Sequence, residues 1–205
     1  MPLQISDFTI KKAISLRAAP TVNHILSATA HLLERGALHE FSTNAIAIKA
    51  GYAVATIYKY FPNKIAIVQS LVIRELNNRM EESLLEMESI VEKPVEYYLE
   101  NLVNYFELKN LNRNKLNRRL LFSTPVDNNV IKDIILQQEL YIRKIFDVIE
   151  NNAIDCPTHI SDKKIKIFSS LFFSFIRKST ILSDVRIDME ERSIFIKSLL
   201  MIIKS

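Results

Sequence analysis

Glycine is nearly missing from this chain, which has two in 205 residues alongside six prolines. β-hairpins and barrels rely on glycine for turns at positive φ. The shortage therefore argues against a β-architecture and for a mostly helical one. Cysteine is down to Cys156 alone. One thiol excludes an internal disulfide framework and a cysteine-rich metal site, and it fits a reducing cytoplasm. Long apolar runs are missing as well. The first twenty residues, MPLQISDFTIKKAISLRAAP, have no apolar centre of the signal-peptide kind, and Lys197 interrupts the apolar run near the C-terminus. A membrane span needs about 20 predominantly apolar residues, so a soluble cytoplasmic protein with no membrane partner is expected.

Hydrophobic residues make up 48% of the chain and charged residues 24%, enough for a globular protein with a real core. The charge is unevenly placed. Residues 1–64 hold seven of the 27 Lys/Arg against three of the 23 Asp/Glu, and the remainder holds twenty of each. All of the net +4 thus lies in the first third. A basic segment beside a neutral body suggests a polyanion-binding module, with a mildly basic surface as the plain alternative.

Prolines 20, 62, 94, 125 and 157 punctuate the chain, and helical periodicity follows each. Nine helices are predicted: about Thr21 to Arg35, capped by Thr21 and stopped at Gly36; Thr43 to Ala50, capped by Ser42 or Thr43; Val54 to Tyr60; Lys64 to Ile90; Pro94 to Leu111; Arg113 to Ser123; Asn128 to Asn152; Ser161 to Leu182; and Asp188 to the end. The second and third are short and joined by a turn that begins at Gly51. That is helix-turn-helix spacing. In such a unit the second helix stands clear of the body, so that its N-terminal residues reach base edges in a major groove about 12 Å wide.

Five residues after Ala50-Gly51 comes the run Thr56-Ile57-Tyr58-Lys59-Tyr60-Phe61-Pro62-Asn63-Lys64. With the Ile46-Ala47 pair before the turn, it resembles the tetracycline-repressor (TetR-type) family of transcriptional regulators over residues 20–70. The resemblance implies an all-α chain. Residues 18–65 would form a three-helix DNA-binding head, residues 66–205 a larger helical ligand-binding and dimerisation domain, and residues 1–17 an N-terminal arm.

It also implies site roles. Thr43 would cap the second helix and touch a phosphate, and Asn44 would reach a base edge or a phosphate. Val54, Ala55 and Thr56 would face the groove. Tyr58 would grip a phosphate through its hydroxyl, with Lys59 and Tyr60 facing the DNA and Lys64 contacting phosphate. Ile46, Ile57 and Phe61 would form the small core. Lys11, Lys12 and Arg17 are candidates for a DNA-contacting arm or a solvated terminus.

Two departures stand out. The family usually has Val-Ser after the glycine, where this chain has Tyr52-Ala53. Ala53 has no side-chain oxygen for capping. Val54 and Ala55 make no bidentate bonds to bases, although they suit a thymine methyl, so an A·T-rich operator is expected.

The family resemblance further implies a palindromic double-stranded DNA partner, a homodimer and a small-molecule effector. The eighth and ninth helices carry the dimer candidates Phe168, Phe172, Phe175, Phe195, Leu199 and Ile202, and the ninth is apolar nearly all round. Tyr98, Asn101, Tyr105 and Gln138 are the effector candidates. Gln138 falls in an apolar stripe, where a buried amide needs a partner. A mostly apolar chamber would take a hydrophobic effector.

Enzyme chemistry finds no support. A carboxylate-bridged metal site needs Glu-x-x-His pairs, and the only histidine after His39 is His159. No Ser-His-Asp, phosphate-loop or Cys-His arrangement stands out, so no catalytic residue, metal or cofactor is expected. His24, His31 and His39 read as surface or structural. Two readings remain: a ligand-responsive DNA-binding repressor, and a helical protein-interaction module that has lost DNA binding.

Overall fold

A computed structural model describes residues 18–35, 42–107, 128–157, 159–181 and 188–204. The arm of residues 1–17, the stop at Gly36 and the helix expected over 113–123 lie outside the described residues. Eight helices are described: α1 (Ala19–Arg35), α2 (Thr43–Ala50), α3 (Val54–Tyr60), α4 (Lys64–Glu88), α5 (residues 95–107), α6 (Asn128–Asn152), α7 (Asp162–Ile181) and α8 (Met189–Lys204). No strand occurs among the described residues, only an isolated parallel bridge between Lys93 and Ala153. The chain forms two compact units whose boundaries fall inside α4, after Asn77, and inside α6, after Ile134.

In the first unit, α1 begins at Ala19, two residues before the expected Thr21 cap, and the Val22 N–H donates to Ala18 O at 3.1 Å. Pro20 therefore sits inside the first turn, where its fixed φ and missing N–H cost nothing. Val22, Ile25, Leu26 and Leu33 of α1 meet Ile46, Ala47, Ile57, Phe61, Ile67 and Leu71 in one buried cluster. Thr29 is fully buried among them, and its hydroxyl donates to Ile25 O at 2.8 Å. This back-bond satisfies the buried Thr29 hydroxyl.

The caps explain where the short helices stop. Ser42, extended at φ −135°, accepts from Ala45 N at 3.1 Å and caps α2. Thr43 is the first helical residue instead, so its hydroxyl is free for other work. Gly51 closes α2 at φ 74°, a left-handed conformation that glycine adopts without steric cost. Ala53 precedes α3 in extended geometry without a side-chain hydrogen bond, as its methyl dictates. Asn63 caps α4, accepting from Ala66 N at 2.9 Å, a role the sequence reading did not assign.

The second unit is aromatic inside. Phe106 makes edge-to-face contacts with Tyr105, Tyr141, Phe172 and Phe173, with centroids 5.4–6.2 Å apart. Phe146 and Phe168 extend the cluster at 4.8 Å. Such pairs add about 0.5–1.5 kcal/mol each beyond area burial. Pro94 was expected to open α5, but the orphan N–H at its start, Val95, is satisfied from far along the chain, by Asp155 Oδ1 at 2.7 Å. The other Asp155 oxygen accepts from Lys204 Nζ at 2.8 Å, tying the end of α8 to the same point.

Candidate nucleic-acid interface

The sequence folds α2 and α3 so that one side of each enters the core and the other meets solvent. Ile46 and Ala47 of α2 and Ile57 of α3 are the buried positions, and Phe61 follows them in. A helix is only about 3.6 residues per turn, so burying these residues leaves Asn44, Ile48, Ala55, Tyr58 and Lys59 exposed. The Thr43 hydroxyl, at the first turn of α2, lies 3.3 Å from the Tyr58 hydroxyl on α3. Two hydroxyls from two helices thus meet at the surface, where one donates to the other and one O–H remains to donate to an outside acceptor. Lys59 Nζ lies 5.7 Å from the Tyr60 ring centroid, within cation–π range, and this holds the ammonium near the same helix end. Lys64 is exposed at the start of α4.

Of the expected DNA-facing residues, Asn44, Ala55, Tyr58, Lys59 and Lys64 are exposed. Thr43, Val54, Thr56 and Tyr60 are half-buried, with Val54 and Tyr60 packed against the core cluster. The expected cap at Thr43 is corrected: Ser42 caps, and the Thr43 hydroxyl turns to Tyr58. Ile48, 83% exposed on α2, was not singled out from sequence. Its signal was a β-branched apolar residue that does not repeat the Ile46-Ala47 core position.

The effector candidates differ in burial and in hydrogen-bond partner. Tyr98 is fully buried, and its hydroxyl donates to Ile90 O at 2.8 Å. Burial raises its pKa above the usual phenol value. Tyr105 is buried, and its hydroxyl donates to Glu82 Oε2 at 2.8 Å. Burial first, then the Glu82 hydrogen bond and charge, push its pKa well above the usual range. Asn101 donates to Tyr97 O at 2.8 Å on its own helix. Gln138 is only half-buried, and the buried amide of α6 is its neighbour Gln137. A one-residue error in phase is a 100° turn on a helix, enough to exchange a buried for a half-exposed position.

The dimer candidates also divide. Phe168, Phe172 and Leu199 are fully buried within the second unit, while Phe175, Phe195 and Ile202 are half-buried. Phe175 and Phe195 stack with centroids 3.7 Å apart. The large apolar residues that α7 and α8 expose are Ile167, Leu171, Met189, Ile194 and Met201. α7 carries two apolar stripes, and the one richer in phenylalanine is the inward one.

No described helix is long and apolar enough to cross a membrane. Residues 25–71 match the family model of bacterial regulatory proteins of the tetR family. No curated protein matches the chain significantly. Among solved structures, a TetR transcriptional regulator from Rhodococcus sp. RHA1 is similar at 17% identity and a TM-score of 0.62, covering 90% of this chain and 96% of its own. A TetR-family transcriptional regulator from Haemophilus influenzae is similar at 19% identity and 0.54, covering 92% and 99%. The fatty acid degradation regulator FadR from Bacillus halodurans is similar at 18% identity and 0.53, covering 94% and 95%. Residues 25–71 are therefore a helix-turn-helix head of the tetR family of bacterial regulatory proteins, in a chain with the fold of TetR-family transcriptional regulators.

Proposed function

We propose that this chain is a homodimeric repressor that binds a palindromic DNA operator and is released from it by a small hydrophobic effector. The observation that carries the reading is the pairing of the Thr43 and Tyr58 hydroxyls beside Lys59 on the exposed side of α2 and α3. Hydroxyls and ammonium groups at helix N-termini and turns are the usual grip on phosphate oxygens, and such contacts set register on the duplex. Asn44 supplies an amide for a base edge or phosphate. Val54, Ala55 and Ile48 present methyl groups, which suit thymine. An A·T-rich operator follows, and a G·C-rich site selected from a random DNA pool would refute that part.

Dimerisation is supported by Ile167, Leu171, Ile194 and Met201, which α7 and α8 leave outward. Two-fold symmetry would set two recognition helices about 34–36 Å apart. The aromatic interior of the second unit favours an apolar or aromatic effector. Its effect on the head would pass through α4, whose residues belong to both units. A binding protein of this kind has no catalytic duty for its residues.

The test is recovery of bound fragments from sheared genomic DNA, followed by affinity measurements across salt concentrations. A discrete site with two half-sites is expected, with affinity falling steeply as salt rises. Lys59→Ala removes one phosphate contact from each protomer and should lower the magnitude of the dimer's salt slope by about two. Failure to bind any duplex at low salt would favour the interaction-module reading instead, to which the apolar start of α3 already lends some weight.

A further inference from the structure

α3 has an unusual start. Its N-cap residue, Ala53, makes no side-chain hydrogen bond, and the helix is only seven residues long. A short helix without a cap frays at the end that must enter the groove. The residue just before it is Tyr52, and three interactions hold that residue. Its N–H donates to Ala47 O at 3.0 Å. Its ring packs against the core cluster of the first unit. Its hydroxyl is hydrogen-bonded to His24 Nδ1 at 3.0 Å, with the two rings stacked at 6.2 Å and 24°.

His24 lies on the outer side of α1, and its neighbours on that side are tied to α4. Arg74 Nη1 donates to Ser27 Oγ at 3.1 Å and to Asn23 O at 3.4 Å, while Nη2 is bonded to Glu75 at 3.2 Å. Asn23, His24 and Ser27 therefore link two elements across one helix: α4 through Arg74, and the turn ahead of α3 through Tyr52. All of these residues belong to the first unit.

We propose that Tyr52 and His24 are positioning residues for operator recognition, holding the uncapped start of α3 at its angle to α1. This rests on the reading of the head as DNA-binding. Neither side chain needs to touch DNA. The pair does through tertiary contact what a capping hydroxyl at position 53 would do locally. Arg74 extends the arrangement, making α1 the strut between α4 and the recognition helix.

The experiment compares the full-length wild type with Tyr52→Phe, His24→Ala and His24→Asn. Two probes are used: the duplex that wild type enriches from a random 30-bp pool, and poly(dI-dC) as a non-specific polyanion. Tyr52→Phe keeps the ring and loses the hydroxyl. It should weaken binding to the enriched duplex about three- to tenfold, the fold-change of one ordinary hydrogen bond. Affinity for poly(dI-dC) and the salt slope should stay at the wild-type values. His24→Ala should behave alike, and His24→Asn, whose amide can replace Nδ1, should recover most of the loss. Amide exchange at Thr56 and Ile57 should quicken in Tyr52→Phe and His24→Ala, with or without DNA.

Equal losses on both probes, or unchanged exchange in α3, would overturn the proposal. If wild type enriches no duplex, the DNA-binding reading fails, and the exchange measurement by itself decides whether Tyr52 and His24 hold α3.

Discussion

The two compact units use their polar groups in opposite ways. In the first, the hydroxyls, amide and ammonium groups of α2, α3 and the start of α4 sit outside a mainly aliphatic core, in which Thr29 and Ser70 are the buried hydroxyls: Thr43, Asn44, Tyr58, Lys59 and Lys64 all reach solvent. In the second, the hydroxyls turn inward and are satisfied there. Tyr141 lies 2.7 Å from Ser83, whose hydroxyl also bonds Met80 O at 3.0 Å, and Tyr105 is held by Glu82. The contrast separates two kinds of work. A surface that grips a polyanion keeps its donors unspent, whereas a core keeps them paired, because an orphaned buried hydroxyl costs about 1–3 kcal/mol.

The sharpest break of this comparison is truncation at the centre of the second unit's core. Phe106→Ala removes the ring that contacts four others and should cost about 3–5 kcal/mol. Denaturant unfolding followed by circular dichroism would show it, and a loss below 1 kcal/mol would mean that the aromatic cluster does not organise the second unit. Gly51→Ala tests the head. An added Cβ meets nothing within 4 Å, so only the strain of φ 74° remains, about 1–2 kcal/mol. The thermal midpoint should fall, and the DNA affinity with it.

Smaller effects refine the contrast. Ala53→Ser places a hydroxyl at a residue already in cap geometry, φ −67° and ψ 147°. It should stabilise the head by about 0.5–1 kcal/mol, read as a higher melting temperature, and it should make Tyr52→Phe less damaging to binding. The smallest effect concerns Asp155. Its pKa lies below the usual carboxylate value because of the Lys204 hydrogen bond first and the Val95 N–H second. A depressed folded pKa contributes stability above the unfolded value, and that contribution is lost as pH falls toward the folded one. Asp155→Asn should therefore destabilise mildly at neutral pH and flatten the acid limb of a stability–pH profile, with little change once Asp155 is protonated in both states.

The head was the more legible half. α3 was expected over Val54 to Tyr60 and is found there, because Gly51 and Pro62 flank it and both signals act within a few residues. The helix reading left the cap of α2 between Ser42 and Thr43, both good capping types, and the structure selects Ser42 over the Thr43 that the family resemblance implied, because only the start of the helix decides between them. In the second unit, α7 was placed well, but its faces were not. Phe168 and Phe172 fit an interface by composition and are core by position. Periodicity finds the stripes on a helix, and it does not say which stripe meets the rest of the same chain.

By itself the sequence determined the all-helical class, the turn at Gly51, and the outward placing of Tyr58, Lys59 and Lys64 around the core residue Phe61. Each follows from backbone sterics, capping chemistry or spacing along a single helix, all of which are local. Tertiary structure alone decided that Asp155 caps α5 from 60 residues away, that Tyr141 closes on Ser83 across 58, and that Tyr52 reaches His24 on α1. Those contacts form only once packing has brought distant helices together, and no local propensity encodes which partners will meet.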